Sequence, residues 1–161
     1  MIHRTKLLCT LALLPILASA KTIYSGEFDY RDFKSPETTF AGRPAAEVAR
    51  MCESGEHASN DDLGQCSHLK FNRANAVMEQ KLHALTARIR NVDPSLKASG
   101  EPTALPYFEK AQSAWASYRD SECYGETYSM GEASERYIFF WECMASITER
   151  RTKELEEVLN N

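Results

Sequence analysis

The sequence predicts an all-α protein: an antiparallel bundle of three to four helices, stapled by two disulfides and preceded by an irregular N-terminal arm. Three observations support this fold class. Apolar residues recur every three or four positions over most of residues 61–159, which is the period of an amphipathic helix. Prolines, glycines and acidic residues stand where such helices would begin or end. Four cysteines follow a leader-like N-terminus, and an even number in an exported chain favours disulfides.

Residues 1–20 have the pattern of a secretory signal peptide. A positively charged start precedes an apolar run over residues 7–17, and small residues at 18–20 supply the cleavage pattern. The run is too short to span a membrane. Lys21 would be the first mature residue, where lipid attachment would require a cysteine. We therefore expect an exported protein, periplasmic or secreted, with no lipid and no membrane anchor.

The charge of the chain narrows the class of partner. The chain has 19 basic and 23 acidic residues, and two of the basic ones lie in the leader, so residues 21–161 carry a formal charge of −6. Nucleic acids and anionic lipid surfaces attract clustered Lys and Arg, so neither is expected as a partner. A negative exported domain suits a basic protein partner instead.

The first elements follow from the local residue pattern. Residues 21–45 carry aromatic side chains without a helical period, so they are expected to form an extended arm with a short strand over 23–30. Residues 46–161 are expected to form one helical domain. Pro44 suits the first turn of a short helix that runs to about Cys52.

The later elements are three longer helices. Apolar residues at spacings of three and four predict a helix over about residues 61–91, which Asp93-Pro94 is expected to end. The same spacing predicts two further helices around a turn at 124–133: residues 105–123 and residues 134–159. The inward stripe of the first of these is expected to consist of four residues: Phe108, Ala111, Trp115 and Tyr118.

The four cysteines that remain after the leader are Cys52, Cys66, Cys123 and Cys143. Four cysteines allow three disulfide connectivities. Because each consecutive pair flanks one predicted turn region, we favour sequential pairing over the two crossed alternatives. Each bridge would then close a loop of about 15–20 residues, which the chain-entropy treatment values at roughly 3 kcal/mol.

Two motifs in the second half of the chain carry a family resemblance. The first reads Ala-Gln-x-Ala-Trp-x-x-Tyr-Arg-Asp-x-x-Cys and covers residues 111–123. The second reads Cys-x-x-x-Ile-Thr-x-x-Arg-x-x-x-Leu and covers residues 143–155. In order, spacing and cysteines, the two motifs resemble the LprI-type lysozyme inhibitor family, a group of small exported helical proteins. The resemblance extends over about residues 46–159, and it implies a helical fold and a lysozyme partner.

The motif residues are interpreted as structural: Gln112, Trp115, Tyr118, Arg119, Asp120, Thr148, Arg151 and Leu155. Aromatic residues at helical spacing usually pack inward, so Trp115 and Tyr118 are expected in the core. Arg119 is expected to pair with Glu122 or with a carboxylate of the last helix. Asp120 is expected to pair with Arg151 or with the Thr148 hydroxyl. Such a clamp would fix how the last two helices cross.

Catalytic and metal-binding patterns are weak in this sequence. An Arg-Asp pair without a nucleophile or a positioned base nearby does not define an active site. The chain has no Gly-rich phosphate loop, no Gly-x-Ser-x-Gly elbow and no His-Glu-x-x-His helix. Cys52, His57, Cys66 and His68 fit no compact zinc spacing, and an oxidising compartment would use the thiols in a disulfide. We therefore expect no enzyme, no metal and no cofactor.

The predicted turn after Cys123 is the candidate partner-binding surface. Its aromatic, apolar and acidic side chains are Tyr124, Glu126, Tyr128, Met130, Glu132 and Glu135. Tyr and Met are enriched in interface cores, and carboxylates complement a cationic partner. The alternative is an ordinary connector whose tyrosines lie back on the helices.

The expected function is binding and inhibition of a lysozyme-like muramidase by occlusion of its cleft. It rests on the family resemblance, the expected export and the negative charge. Two alternatives remain open. One is an immunity-type protein that neutralises a secreted toxic effector in the cell envelope, which needs the same leader, size and charge. The other is an envelope protein of another role.

Overall fold

Five α-helices and one 3-10 turn are the regular elements of residues 21–161, the residues that the computed structural model describes. The expected leader, residues 1–20, lies outside them. The elements are the 3-10 turn Tyr30–Asp32, α1 Pro36–Thr39, α2 Ala45–Ser54, α3 Asn60–Ala98, α4 Leu105–Ser129 and α5 Arg136–Asn160. The described residues contain no strand, so the all-α class is confirmed and the short strand expected over 23–30 is wrong. None of these helices is both long and apolar enough to cross a bilayer.

Helices α3, α4 and α5 form an up-down-up bundle. The Asn60 amide at the start of α3 donates a 2.8 Å hydrogen bond to Ser134 beside the start of α5. Near the other end, Arg88 donates to the carbonyl of Val158 at 3.1 Å. Helices α3 and α5 therefore run parallel, and their interface is the most extensive one in the bundle. Helix α4 packs mainly against α5 and runs antiparallel to both α3 and α5.

Two clusters of buried side chains make up the core. The first lies where all three helices meet and consists of Phe71, Cys123, Phe140, Trp141, Met144, Ala145 and Ile147. The second lies between α3 and α5 and consists of Met78, Leu82, Leu85 and Leu155. Trp115 of α4 is half-buried and packs against both clusters, so one indole joins the two halves of the core.

Two disulfides connect neighbouring helices. Cys52 of α2 bonds to Cys66 of α3, with their Cα atoms 5.3 Å apart. Cys123 of α4 bonds to Cys143 of α5, with their Cα atoms 5.6 Å apart. This is the sequential pairing expected from the sequence. Both bridges lie C-terminal to the arm, so no covalent cross-link holds residues 21–45 to the bundle.

The end of α3 differs from the expectation. The helix does not stop at Asp93-Pro94 but continues to Ala98. Pro94 lies inside the last turns of this helix, where its missing N–H removes one helical hydrogen bond. The actual stop is Gly100, which adopts φ +82°. Its amide bonds to the Lys97 carbonyl, and the next amide bonds to the Leu96 carbonyl, which is the Schellman arrangement.

The end of α4 also differs from the expectation. The turn predicted over residues 124–133 is wrong, because α4 continues through Gly125 to Ser129. The Thr127 hydroxyl donates to the Cys123 carbonyl at 2.7 Å inside this helical turn. Gly131, with φ +70°, is the residue that ends the helix. The connection between α4 and α5 is therefore short and contains only residues 130–135.

Candidate functional site

The two sequence motifs meet across the interface of α4 and α5. The Gln112 side-chain carbonyl accepts a 3.2 Å hydrogen bond from Nε of Arg151, which also donates to Glu154 at 2.8 Å. The Trp115 ring lies between two guanidinium groups, 5.2 Å from that of Arg119 and 5.9 Å from that of Arg151. Cation–π contacts of this kind orient the arginine side chains that cross between the helices.

Arg119 and Asp120 form the polar clamp, but with different partners from those expected. Arg119 is 6% exposed, and its Nε and Nη2 donate to one Asp120 oxygen at 3.0 and 2.8 Å. The second Asp120 oxygen accepts from the Tyr30 hydroxyl of the arm at 3.1 Å. The pairings expected with Glu122, with the last helix and with Arg151 are therefore wrong. The Thr148 hydroxyl is also unavailable to Asp120, because it donates to the Met144 carbonyl at 2.7 Å.

Tyr118 does not lie in the core. Its side chain is 53% exposed on the outer face of α4, and Ala111 is exposed on the same helix. The stripe that faces the bundle instead follows Trp115, Arg119 and Cys123. Thr148 and Leu155 of the second motif are buried, as a structural role requires. The second motif thus faces the core, and the first faces it through a buried arginine rather than through Tyr118.

The arm crosses the bundle over a row of aromatic side chains, which we call the aromatic trough: Tyr124, Tyr128, Tyr137, Phe140 and Trp141. Phe28 is the central contact, because its ring lies 5.1 to 5.7 Å from four of these rings in edge-to-face or tilted geometry, as aromatic pairs prefer. Phe33 lies 4.9 Å from the Tyr137 ring and 5.8 Å from the Trp141 ring. The arm therefore packs against the bundle through its aromatic side chains.

The trough binds the main chain of the arm as well as its rings. The Tyr128 hydroxyl accepts from the Phe28 amide at 3.1 Å, and the Tyr124 hydroxyl accepts from the Tyr30 amide at 3.0 Å. The Tyr137 hydroxyl donates to the Ile23 carbonyl. Burial raises the pKa of both Tyr124 and Tyr137 above the usual value, so these phenols stay protonated. Tyr124 and Tyr128, which the sequence placed in a partner-binding turn, thus lie on α4 under the arm.

Arg136, at the start of α5, lies beside the aromatic trough and is only 2% exposed. It donates to the carbonyls of Tyr24 and Gly26. Its guanidinium lies 5.3 Å from the Phe28 and Tyr128 ring centres. Among the described residues no carboxylate forms an ion pair with it, and its Nε has no hydrogen-bond partner.

A second feature is a group of carboxylates, which we call the acidic end: Asp61, Glu132 and Glu135. Asp61 lies on α3, whereas Glu132 and Glu135 lie in the connection between α4 and α5, and each carboxylate accepts a hydrogen bond from another part of the chain. Tyr24 donates to Asp61 at 2.9 Å, Thr22 donates to Glu132, and Asn60 donates to Glu135 at 3.3 Å.

The surroundings of Glu135 favour its ionised form. Hydrogen bonds from its own backbone, Ser134 and Asn60 hold the pKa of Glu135 below its usual value. Ile23 and Met130 are exposed on the segments that carry Thr22 and Glu132. Glu126, the remaining acidic residue of the predicted surface, is exposed on α4. Within residues 21–161, no group of three His, Cys, Asp or Glu side chains is arranged to hold a metal ion.

Fold and motifs together define a disulfide-stapled three-helix bundle whose two motif helices are joined by a bridge. Residues 52–155 match the family described as Lysozyme inhibitor LprI, and the chain belongs to this family. An uncharacterized protein of Rhizobium meliloti (strain 1021) is 28% identical over 105 residues, which is 64% of this chain and 76% of that protein. No solved structure matches the chain significantly.

Sequence reasoning missed Arg136 and the docking of the arm. Nothing in the sequence marked Arg136, and a cation near a helix start is not favoured by the helix dipole. Nothing in its neighbours along the chain indicates the two carbonyls that it binds more than 100 residues away. The aromatic residues of the arm were the one available signal, because apolar rings in an irregular segment need a surface to cover them.

Proposed function

We propose that this protein binds a lysozyme in the periplasm or outside the cell and inhibits it by covering the substrate cleft. Membership of the Lysozyme inhibitor LprI family carries the proposal. The protein acts by binding rather than by catalysis. The two disulfides fit an exporting compartment, in which bridges of this kind form and persist.

The acidic end is the proposed contact surface. Lysozymes are typically basic, and residues 21–161 carry a formal charge of −6. Glu132 and Glu135 are held by hydrogen bonds in the unbound protein, so they lose less conformational freedom on binding than mobile carboxylates would. Ile23 and Met130 would supply apolar contact beside them. Charge at this end would steer the encounter, and the apolar side chains would slow dissociation.

Charge reversal tests this surface. The double variant Glu132→Lys/Glu135→Lys should bind a basic lysozyme with an association rate at least about tenfold lower at low salt, because steering is lost. The difference should shrink as salt screens the charges. Surface plasmon resonance at two or more ionic strengths gives both rates, and circular dichroism checks that the helices persist.

The matched control is the double variant Glu79→Lys/Glu157→Lys. Both glutamates are exposed on α3 and α5, and each lies roughly 27–33 Å along its helix from the acidic end, at 1.5 Å per residue. The control changes the net charge by the same amount as the test variant. If the two double variants lower the association rate equally, net charge alone acts and the acidic end is not the contact surface.

A further inference from the structure

The aromatic trough binds its occupant largely through groups that every polypeptide has. The Tyr128 hydroxyl lies 3.1 Å from the Phe28 amide and 3.4 Å from the Phe28 carbonyl. The Tyr124 hydroxyl accepts a hydrogen bond from the Tyr30 amide. Arg136 donates to two further main-chain carbonyls, with the Gly26 carbonyl at 2.8 Å. These contacts are made with main-chain groups rather than with particular side chains, as in other peptide-binding modes. The bound main chain turns at residues 22–26 and enters the 3-10 turn at Tyr30.

Four rings of the arm contact the trough: those of Tyr24, Phe28, Tyr30 and Phe33. Phe28 and Tyr30 are two positions apart, and both rings contact that of Phe140. The Phe28 ring lies 5.1 Å from that of Phe140, and the Tyr30 ring lies 5.8 Å from that of Trp141. The Tyr30 hydroxyl reaches Asp120 at the end of the trough. The side-chain preference of the trough therefore includes an aromatic-x-aromatic pair.

The aromatic trough lies in the part of the chain that matches the family, whereas the arm does not. All of the side chains that bind the arm lie within residues 52–155, the part that matches the family, whereas the arm lies outside it. The arm also precedes both disulfides, so only noncovalent contacts hold it. Arg136 keeps an unpartnered buried Nε with the arm in place, so the arm does not satisfy every donor of the trough.

We propose that the aromatic trough is a docking site for an aromatic-x-aromatic segment of a partner protein, and that the arm is its exchangeable internal occupant. The partner segment would take the hydrogen bonds of Tyr124, Tyr128 and Arg136 that the arm makes in the unbound protein. Binding would then require the arm to leave the trough, so the arm lowers the apparent affinity for the partner segment. This inference does not depend on whether the partner is a lysozyme.

A labelled peptide with the sequence of residues 21–34 is the probe, and the full chain is the receptor. In the wild-type chain the arm competes at high effective concentration, so the peptide should bind weakly. In the variant Phe28→Ala/Tyr30→Ala the internal competitor is weakened, and fluorescence anisotropy should show saturable binding at least about tenfold tighter than to the wild type. Adding Tyr124→Phe and Tyr128→Phe to that variant should reverse most of the gain, because the hydroxyls that bind the main chain are removed.

Controls separate docking from loss of structure. The variant Tyr107→Ala/Tyr118→Ala removes two aromatic rings from the exposed face of α4 and should bind the peptide no better than the wild type does. A peptide with alanine in place of both Phe28 and Tyr30 should not bind. If Phe28→Ala/Tyr30→Ala loses its helical circular dichroism, Phe28→Leu takes its place and should show a smaller gain in the same direction.

Three results would overturn the proposal. The first is no saturable binding of the peptide to a folded arm variant. The second is equal binding of the parent and alanine-substituted peptides. The third is a concentration-dependent dimer of the wild-type chain that Phe28→Ala abolishes, because the occupant would then be the arm of a second copy rather than a segment of a different protein.

Discussion

His68 is a buried histidine that the core holds in its neutral form. Its ring stacks on the Trp141 indole at a centroid distance of 3.7 Å, and its Nδ1 has no hydrogen-bond partner among the described residues. Burial lowers the pKa of His68 from its usual 6.5 to about 4, while the charge of Glu37 acts weakly in the opposite direction. The protonated form is therefore disfavoured in the folded protein.

This burial predicts a pH dependence of stability. Between pH 6.5 and about 4 the unfolded chain binds a proton at His68 that the folded protein does not, so the free energy of unfolding falls as the pH falls through this window. The loss should reach about 1–3 kcal/mol. Urea unfolding of the wild type and of His68→Phe, which keeps a stacked ring without a titrating group, isolates the effect. Equal pH slopes for both proteins would show that His68 does not contribute, and the exposed His83→Gln should behave like the wild type.

At the scale of single residues, the sequence identified the motif positions but not their partners. Helical spacing allows two choices for the buried face of α4, one through Tyr118 and one through Arg119. The two positions are adjacent in sequence and about 100° apart around the helix. The choice depends on Arg119 finding a carboxylate, and Asp120 supplies one from the adjacent position. A buried arginine contradicts the usual preference for apolar residues, so periodicity alone selects the wrong side chain.

At the scale of elements, the sequence predicted where the helices begin but not where they end. The helices themselves were predicted within a few residues at their starts, because Asn60 and Leu105 begin clear apolar periods. The predicted ends of α3 and α4 were too early, near Pro94 and Gly125. These are the first helix-breaking residue types after each amphipathic segment. The residues that end α3 and α4 are Gly100 and Gly131, which adopt positive φ. Gly125 has no such backbone and is an ordinary helical residue.

Asp93 connects two elements and gives a prediction at this scale. Its carboxylate accepts hydrogen bonds from the amides of Ala104 and Leu105 at 2.9 and 3.0 Å, so a residue of α3 caps the start of α4. Ala104 itself offers no capping side chain. Asp93→Ala should lower the free energy of unfolding by about 1–2 kcal/mol, as loss of a helix cap does. Asp93→Asn keeps an acceptor and should lose less in the same urea titration, whereas equal losses would contradict a capping role.

For the whole molecule, the bundle was predictable and the docking of the arm was not. The period of the helices, the even cysteine count and the two motifs each indicate a disulfide-linked helical domain. The arm binds α4 and α5 through residue pairs about 90 to 114 positions apart, such as Tyr30 with Asp120 and Ile23 with Tyr137. Local pattern holds no information on contacts of that range. Asp61 is likewise brought to the end of the bundle that carries Glu132 and Glu135 by the parallel packing of α3 and α5.

Inhibition of lysozyme is the central claim, and a lysis assay tests it most directly. The purified protein, residues 21–161 with both disulfides formed, is added to a basic lysozyme acting on cell walls, and turbidity is followed over time. The account predicts that the lysis rate falls with increasing protein and reaches a plateau near one inhibitor per enzyme, with the Glu132→Lys/Glu135→Lys variant requiring more protein for the same effect. An unchanged lysis rate at a large molar excess of the folded wild-type protein would contradict it.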